Sequence, residues 1–185
     1  MVQIGTQIWM TKNLNVSKYR NGDPIPQITD MTQWRYATTG AWCYYNNDPA
    51  NGAKYGKLYN WYAVNDSRGL TPEGWHIPND DEWNVLNTFL GGSSIAGGKM
   101  KEVGTTHWLS PNSGATNING FTALPGGSRG IWGEFQYIRE KGCWWSTSTF
   151  GTVNTYRWEL VYQYQFFNKY IGNRSTGFSV RCIKD

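Results

Sequence analysis

Hydrophobic and polar positions alternate near the start of the chain and again through its last third. Residues 2–9 (VQIGTQIW) alternate around a glycine, which predicts a strand, a turn and a second strand. From residue 131 onward, short aromatic and β-branched runs are separated by Gly, Asn and Lys turns: IWGEFQYI, CWWSTST, YRWELVYQYQFF and GFSVRCI. This pattern predicts a twisted antiparallel sheet in the C-terminal half.

The most distinct helix pattern spans residues 79–90. Asn79 can cap this helix, and Glu82 three positions later completes a capping box. Apolar residues then recur at spacings of three and four and form one face: Trp83, Leu86, Phe89 and Leu90. Gly91 and Gly92 end the pattern.

The remaining segments are rich in turn-forming residues. Residues 21–28 carry two prolines and predict an ordered loop, and residues 108–128 consist almost entirely of turn formers around a small apolar group. The run KYGKLYNWYAV at 54–64 fits a strand or a helix equally well. With no repeat or linker, the chain reads as one α+β domain over residues 1–185, with one or two short helices.

Composition narrows the class of protein further. Of the 185 residues, 16% are aromatic and only 16% are charged, which is the reverse of a disordered chain. The net charge of +4 comes from scattered basic residues, so we expect no nucleic-acid partner. No run is long enough for a membrane helix, and residues 1–9 lack the features of a signal peptide. The chain therefore either stays inside the cell or is a segment of a longer protein.

Cysteine and histidine give little support for catalysis. Cys43, Cys143 and Cys182 are far apart and form no C-x-x-C, which leaves open one disulfide with a free thiol, or three buried thiols. For His76 we expect a buried imidazole that bonds a backbone carbonyl, and for His107 a surface or turn position. No nucleophile elbow, H-E-x-x-H or P-loop is present.

A metal site is a further candidate, although we expect no cofactor. Calcium would need converging oxygens, such as those of Asp80 with Asn117 or Asn119, and the EF-hand spacing is absent.

The aromatic residues crowd near the C-terminus. Ten of them lie between Trp144 and Tyr170, and five fall within residues 162–170. Trp144 and Trp145 are expected in the core. The later rings alternate with Asn, Gln and Arg, a composition typical of binding surfaces.

Six ordered blocks resemble one known family. They are IGTQIWMTKNLNV at 4–16, YGKLYNWYAV at 55–64, PEGWHIPNDDEW at 72–83, GFTALPGGSRG at 120–130, WWSTS at 144–148 and GFSVRCIKD at 177–185. Their order is similar to that of the Fibrobacter succinogenes major paralogous domain. The resemblance implies a compact, loop-rich C-type-lectin-like fold with neighbouring termini. It also implies a surface-exposed or lipoprotein component of Bacteroidetes-like bacteria.

The chain departs from related sequences at two places. The family usually has Cys-Pro before the GWH block, whereas this chain has Thr71-Pro72, so the disulfide from that position to Cys182 cannot form. Two blocks also resemble the formylglycine-generating enzymes, which share this fold. That class needs a late catalytic cysteine pair, and neither Cys143 nor Cys182 lies in a matching motif, so we expect no enzymatic activity.

The end of the chain is also similar to variable proteins that retroelements diversify on a C-type-lectin-like scaffold. WWSTS and GFSVRCIKD match the constant flanks, with residues 150–175 between them as the variable region. Alternation then predicts that Leu160 points inward. The same alternation predicts exposed side chains for Glu159, Gln163, Tyr164 and Phe167.

We therefore expect a ligand-binding display domain of a bacterial or phage surface protein, such as an adhesin, pilus or phage-tail component. Its ligand would be a protein or a glycan, and a membrane would be reached only through an anchor elsewhere in the parent chain. The expected binding residues are Tyr156, Trp158, Glu159, Gln163, Tyr164, Phe167, Asn168, Tyr170 and Asn173. The alternatives are an enzyme of the formylglycine-generating type and a purely structural module.

Overall fold

Strands dominate the C-terminal half of the molecule, and short helices lie within its first hundred residues. A computed structural model describes residues 1–152 and 154–185. The helices are α1 (Met31–Arg35), α2 (Pro49–Tyr55), α3 (Trp61–Val64), α4 (Asp80–Phe89) and α5 (Ala96–Met100). The strands are β1 (Val2–Ile4), β2 (Gln7–Trp9), β3 (Trp42–Cys43), β4 (Leu58–Tyr59), β5 (Trp75–His76), β6 (Gly126–Arg129), β7 (Phe135–Ile138), β8 (Lys141–Phe150), β9 (Asn154–Val161), β10 (Asn168–Asn173) and β11 (Ile183–Lys184). The α+β class with few helices and several antiparallel sheets is confirmed, but the described residues form five α-helices where one or two were expected.

The first and last strands share one sheet. Its order is β1-β2-β11-β5, with every neighbouring pair antiparallel. The predicted hairpin at residues 2–9 is confirmed, and Gly5 forms its turn at φ +61°, a backbone conformation that favours glycine. Ile183 pairs with Trp9 on one side and with His76 on the other.

The largest strands form the sheet β10-β9-β8. Trp158 of β9 lies opposite Trp144 of β8 and opposite Lys169 of β10. The run at residues 156–167 does not continue as one strand, because β9 ends at Val161 and a loop over residues 162–167 leads into β10. The period of apolar residues could not reveal this turn, since the loop is itself aromatic.

Helix α4 forms where the capping box predicts it. The Asn79 side chain accepts a hydrogen bond from the backbone N–H of Glu82, and the Glu82 carboxylate accepts one from the N–H of Asn79. Phe89 does not join the buried face of this helix. It is exposed, and its ring covers Gly5 in the β1–β2 turn.

Residues 54–64, which fit a strand or a helix, resolve into several elements, whereas residues 177–183, which were predicted as a strand, do not form one. The run at 54–64 contains the end of α2, then β4 and α3, and Asn60 caps α3 by accepting a hydrogen bond from the N–H of Ala63. The run at 177–183 is mostly irregular. It makes single bridges to three different segments, with Ser179 opposite Trp144 as one example, because it passes between the sheets.

Tryptophan rings form the centre of the core. The Trp83 ring lies 4.7 Å from that of Trp9 and 5.6 Å from that of Phe167. Their buried indole groups find partners, as large half-polar rings require. For example, Trp144 Nε1 donates to Asn13 Oδ1 at 2.9 Å and Trp145 Nε1 donates to the carbonyl of Tyr59 at 2.7 Å. Both residues are completely buried, as the sequence predicts.

Candidate functional site

The expected binding residues lie on opposite faces of the β8–β9–β10 sheet. Side chains alternate along a strand, so Trp158 faces the core cluster that contains Trp83, whereas Glu159 faces the other side. Tyr170 lies opposite Arg157 in the register and shares the face of Glu159. The nine residues therefore do not form one continuous surface.

Two of the nine are core residues. Trp158 is 2% exposed and Phe167 is fully buried, so the expectation that they contact a ligand is wrong. Helix α4 covers this face of β9: the Trp158 ring stacks near Trp83, and its Nε1 donates to Asp80 Oδ1 at 3.1 Å. Leu160 points inward, as predicted.

The expectation of an exposed Glu159 is also wrong. This side chain is 6% exposed, and its carboxylate accepts hydrogen bonds from Arg157 Nη1 and, at 3.2 Å, from Lys141 Nζ. Burial alone would raise the pKa of Glu159, but the two cations hold the pKa below its ordinary value. Glu159 is therefore a fixed anion at neutral pH.

Gln163 and Tyr164 are exposed on the loop between β9 and β10. The Tyr164 ring stacks on that of Phe166, with centroids 5.4 Å apart and planes 8° apart. The loop is anchored on its buried side, because Lys101 Nζ donates to the carbonyls of Val161 and Tyr164 at 3.2 and 2.8 Å.

The other expected residues lie on β9 and β10. Tyr170 is 44% exposed and Asn173 is exposed, whereas Tyr156 and Asn168 are half-buried. Tyr156 faces away from Tyr170, with Lys169 Nζ 4.4 Å from its ring centroid.

A polar cleft of about 280 Å³ lies on the Glu159 face of the sheet. The β6–β7 hairpin and residues 176–178 form its other walls. Its lining residues are Ser128, Gly130, Gln136, Tyr137, Lys141, Cys143, Arg157, Glu159, Thr176 and Phe178. Of the expected residues, Glu159 lines the cleft and Tyr170 lies at its edge, against Arg157.

Lys141 and Arg157 are the main residues that sequence reasoning missed. Arg157 Cζ lies 5.2 Å from the Tyr170 ring centroid and 5.1 Å from that of Phe178, while Lys141 Nζ lies 4.6 Å from that of Tyr137. The alternation of Arg157 and Glu159 on one face of a strand was the available signal. Tyr137 gave none, because its position depends on the hairpin, where it adopts φ +65°.

All three cysteines are free and buried, which agrees with three buried thiols and not with a disulfide. Burial raises the pKa of Cys43 to about 11 and that of Cys143 and Cys182 to about 12. Cys143 lies in the cleft wall, with Sγ 3.6 Å from Glu159 Oε2. These thiols remain protonated at neutral pH and are weak nucleophiles.

His76 does not bond a backbone carbonyl as expected. Its Nε2 lies 2.7 Å from Glu82 Oε1 and its Nδ1 lies 2.7 Å from Asp185 Oδ1, with the side chain 39% exposed. The carboxylates of Glu82 and Asp185, which follow His76 by 6 and 109 positions in the sequence, take the place of the expected carbonyl. His107 is half-buried and contacts Glu102 at 2.8 Å.

Asp80 does not converge with Asn117 or Asn119. Its carboxylate binds Trp158 Nε1 and, at 2.9 Å, Lys169 Nζ, whereas Asn117 bonds Thr122. Within residues 1–152 and 154–185, no group of three His, Cys, Asp or Glu side chains could hold a metal ion. Nor does any helix of these residues have the length and apolar character needed to cross a membrane.

The fold and cleft define a compact α+β domain with a polar, aromatic-edged cavity on its largest sheet. The model of the family described as Fibrobacter succinogenes major domain matches residues 2–184. The chain therefore belongs to that family. No curated protein matches the chain, and no solved structure matches it either.

Proposed function

We propose that this chain is a non-enzymatic ligand-binding domain of a bacterial or phage surface protein, displayed outside the cell as part of an adhesin, pilus or tail. Its fold would be C-type-lectin-like, with a protein or glycan bound in the cleft. The region from 150 to 175 would be diversified by a retroelement.

The observation that carries this proposal is the contact between Arg157 and Tyr170 at the cleft edge. Tyr170 is 44% exposed, while Glu159 fixes the Arg157 guanidinium that lies against its ring. Tyrosine and arginine dominate binding energies at interfaces, and groups already fixed in place lose little entropy when a ligand docks. An exposed ring of this kind next to a held guanidinium fits recognition better than a structural role.

The enzymatic alternative needs a reactive thiol. Cys143 is the only cysteine among the lining residues of the cleft, and burial holds its pKa at about 12. A thiol of this kind lacks the thiolate character that nucleophilic catalysis uses. This favours binding over chemistry at the cleft.

The test is a combined glycan and surface-protein array probed with the domain and two variants. Tyr170→Ala should weaken binding of any ligand by about 1–3 kcal/mol without unfolding the domain. Ile171→Ala is the matched control, because Ile171 is also exposed on β10 but faces the opposite side. Equal binding by both variants and the unaltered protein would place the ligand away from Tyr170, and no binding of any array ligand would favour the purely structural module.

A further inference from the structure

We infer that the cleft binds the carboxylate group of an acidic saccharide, a ligand class that rests on the proposed function. The inference depends on the charges in the cleft, the unused donors of Arg157, and the size and lining of the cavity.

The cleft carries a surplus positive charge. Lys141 and Arg157 are two cations against the single carboxylate of Glu159, which leaves +1 among the lining residues. The Glu134 carboxylate lies next to the lining residues Gly130 and Gln136 without lining the cleft itself, and the completely buried Arg129 offsets its charge. Because Glu159 is 6% exposed and both of its oxygens are engaged, the charge available to a ligand is cationic.

Arg157 has hydrogen-bond donors to spare. Its Nη1 serves Glu159 and Cys143, while its Nε and Nη2 bond no residue in the described part of the chain. A guanidinium is a planar fork that matches a carboxylate with two parallel hydrogen bonds. Since Glu159 and the rings of Tyr170 and Phe178 already hold this fork in place, it is preorganised for an anion.

The size of the cleft favours a single ring. Pockets for drug-sized ligands measure about 300–1,000 Å³, and this cleft has about 280 Å³. Its uncharged polar side chains include the hydroxyls of Ser128 and Thr176, which both donate and accept, and the amide of Gln136, whose Nε2 already donates to Glu134 Oε1. Sugar hydroxyls need partners of this kind, and the rings of Tyr137 and Tyr170, which pack against Lys141 and Arg157, add apolar surface for the C–H groups of a sugar.

An acidic peptide fits the cleft less well. Extended peptides gain affinity by adding a strand to a sheet edge through main-chain hydrogen bonds. Strand β9, which carries Arg157 and Glu159, already has β8 on one side and β10 on the other. Recognition by Arg157 and Glu159 therefore uses their side chains.

The experiment measures binding by isothermal titration calorimetry to oligosaccharides of glucuronate, galacturonate, mannuronate and sialic acid. Each oligosaccharide is compared with its carboxyl-reduced form, and a sulfated galactose oligomer and penta-glutamate are added as further probes. At least one carboxylated oligosaccharide should bind about tenfold or more tightly than its reduced form, because a charge-assisted bidentate contact is lost on reduction. Added salt should weaken the binding.

Substitutions test whether the preference for carboxylated oligosaccharides arises in the cleft. Lys141→Gln and the double variant Arg157→Gln with Glu159→Gln, which removes one charge of each sign, should both remove the preference for the carboxylated form. Lys169→Gln is the control, because Lys169 lies on the other face of the sheet and binds Asp80. Circular dichroism confirms that each variant is folded.

The outcomes separate this inference from the proposed function. Equal binding of carboxylated and reduced sugars, tighter binding of sulfate or penta-glutamate, or no binding of any of the four acidic oligosaccharides overturns the ligand class. The proposed function survives these results if an array ligand still depends on Tyr170. If Tyr170→Ala changes the binding of no ligand, the proposed function itself fails.

Discussion

Lys101 Nζ donates a hydrogen bond to the backbone carbonyl of Tyr164 at 2.8 Å from a completely buried position. Burial lowers the pKa of this amine to about 8. Lys101 directly follows α5. Its hydrogen bond therefore ties the end of this helix to the loop that carries the stacked rings of Tyr164 and Phe166.

Replacing Lys101 by Met should loosen that loop. The change keeps the volume but leaves the carbonyls of Val161 and Tyr164 without their donor, which costs about 1–3 kcal/mol of unfolding free energy. Hydrogen exchange at residues 162–167 should become faster. Lys99→Met, which removes a neighbouring contact with the carbonyl of Leu90, should leave exchange in this loop unchanged.

Gly97→Ala should destabilise the same region. A Cβ at this position would collide with the carbonyl oxygen of Phe166 and with the Leu160 side chain, so the loop must shift at a cost of about 1–3 kcal/mol. Chemical denaturation measures the loss. Ser94→Ala, an exposed change just before α5, serves as the control, and an equal loss there would contradict the close approach.

Asn79→Ala should cost about 1 kcal/mol of stability. The substitution removes the acceptor for the Glu82 N–H and half of the capping box of α4. Thermal unfolding checks the loss against Asn84→Ala, which changes the same residue type at an exposed interior position of α4. Indistinguishable transitions for the two variants would mean that the cap contributes nothing.

His76 should make stability depend on pH near neutrality. Burial alone lowers the pKa of His76, but the hydrogen bonds and charges of Glu82 and Asp185 raise the pKa above its ordinary value. The native state therefore binds the proton more tightly than the unfolded state. This stabilisation is fully present below the unfolded pKa and is lost as pH rises through the folded pKa.

The measurement is an NMR titration of His76 together with thermal unfolding between about pH 5 and 8. Asp185→Asn should move the pKa of His76 back toward its ordinary value and flatten the pH dependence. An unchanged titration in this variant would show that Asp185 does not contribute.

The thiols should be unreactive in the folded protein. Cys43, Cys143 and Cys182 are buried with raised pKa values, so a thiol reagent should react only after denaturant is added. Cys143→Ser should retain ligand binding. Rapid labelling of the native protein, or an enzymatic activity that this variant loses, would instead support the enzymatic alternative.

Local chemistry made part of this structure predictable. The capping box at Asn79 and Glu82 and the hairpin around Gly5 depend on residues a few positions apart, and both formed as expected. The exposure of β9 was not predictable in the same way. Trp158 and Glu159 are consecutive and both buried, because α4 covers one face of the strand while the hairpin and ion pairs enclose the other.

The cleft was harder still to predict. Ser128, Arg157 and Thr176 come from three separate segments, and only the packing of the β6–β7 hairpin against the large sheet brings them together. The aromatic tract pointed to the part of the chain that contains Arg157 and Glu159, which line the cleft, and Tyr170, which packs against Arg157. It could not distinguish that ring from Phe167, which is also aromatic and fills the core.

The sheet that unites β1, β2, β11 and β5 also determines how the molecule would respond to mechanical force. Tension applied at residues 1 and 185 acts first on the short pairing of β11 with its neighbours, where Ile183 meets Trp9 and His76. Strands β8, β9 and β10 belong to a different sheet, and among the described residues the backbone of the pulled chain meets β8 only at Ser179, upstream of β11. A ligand in the cleft should therefore stay bound while β11 separates from β2 and β5.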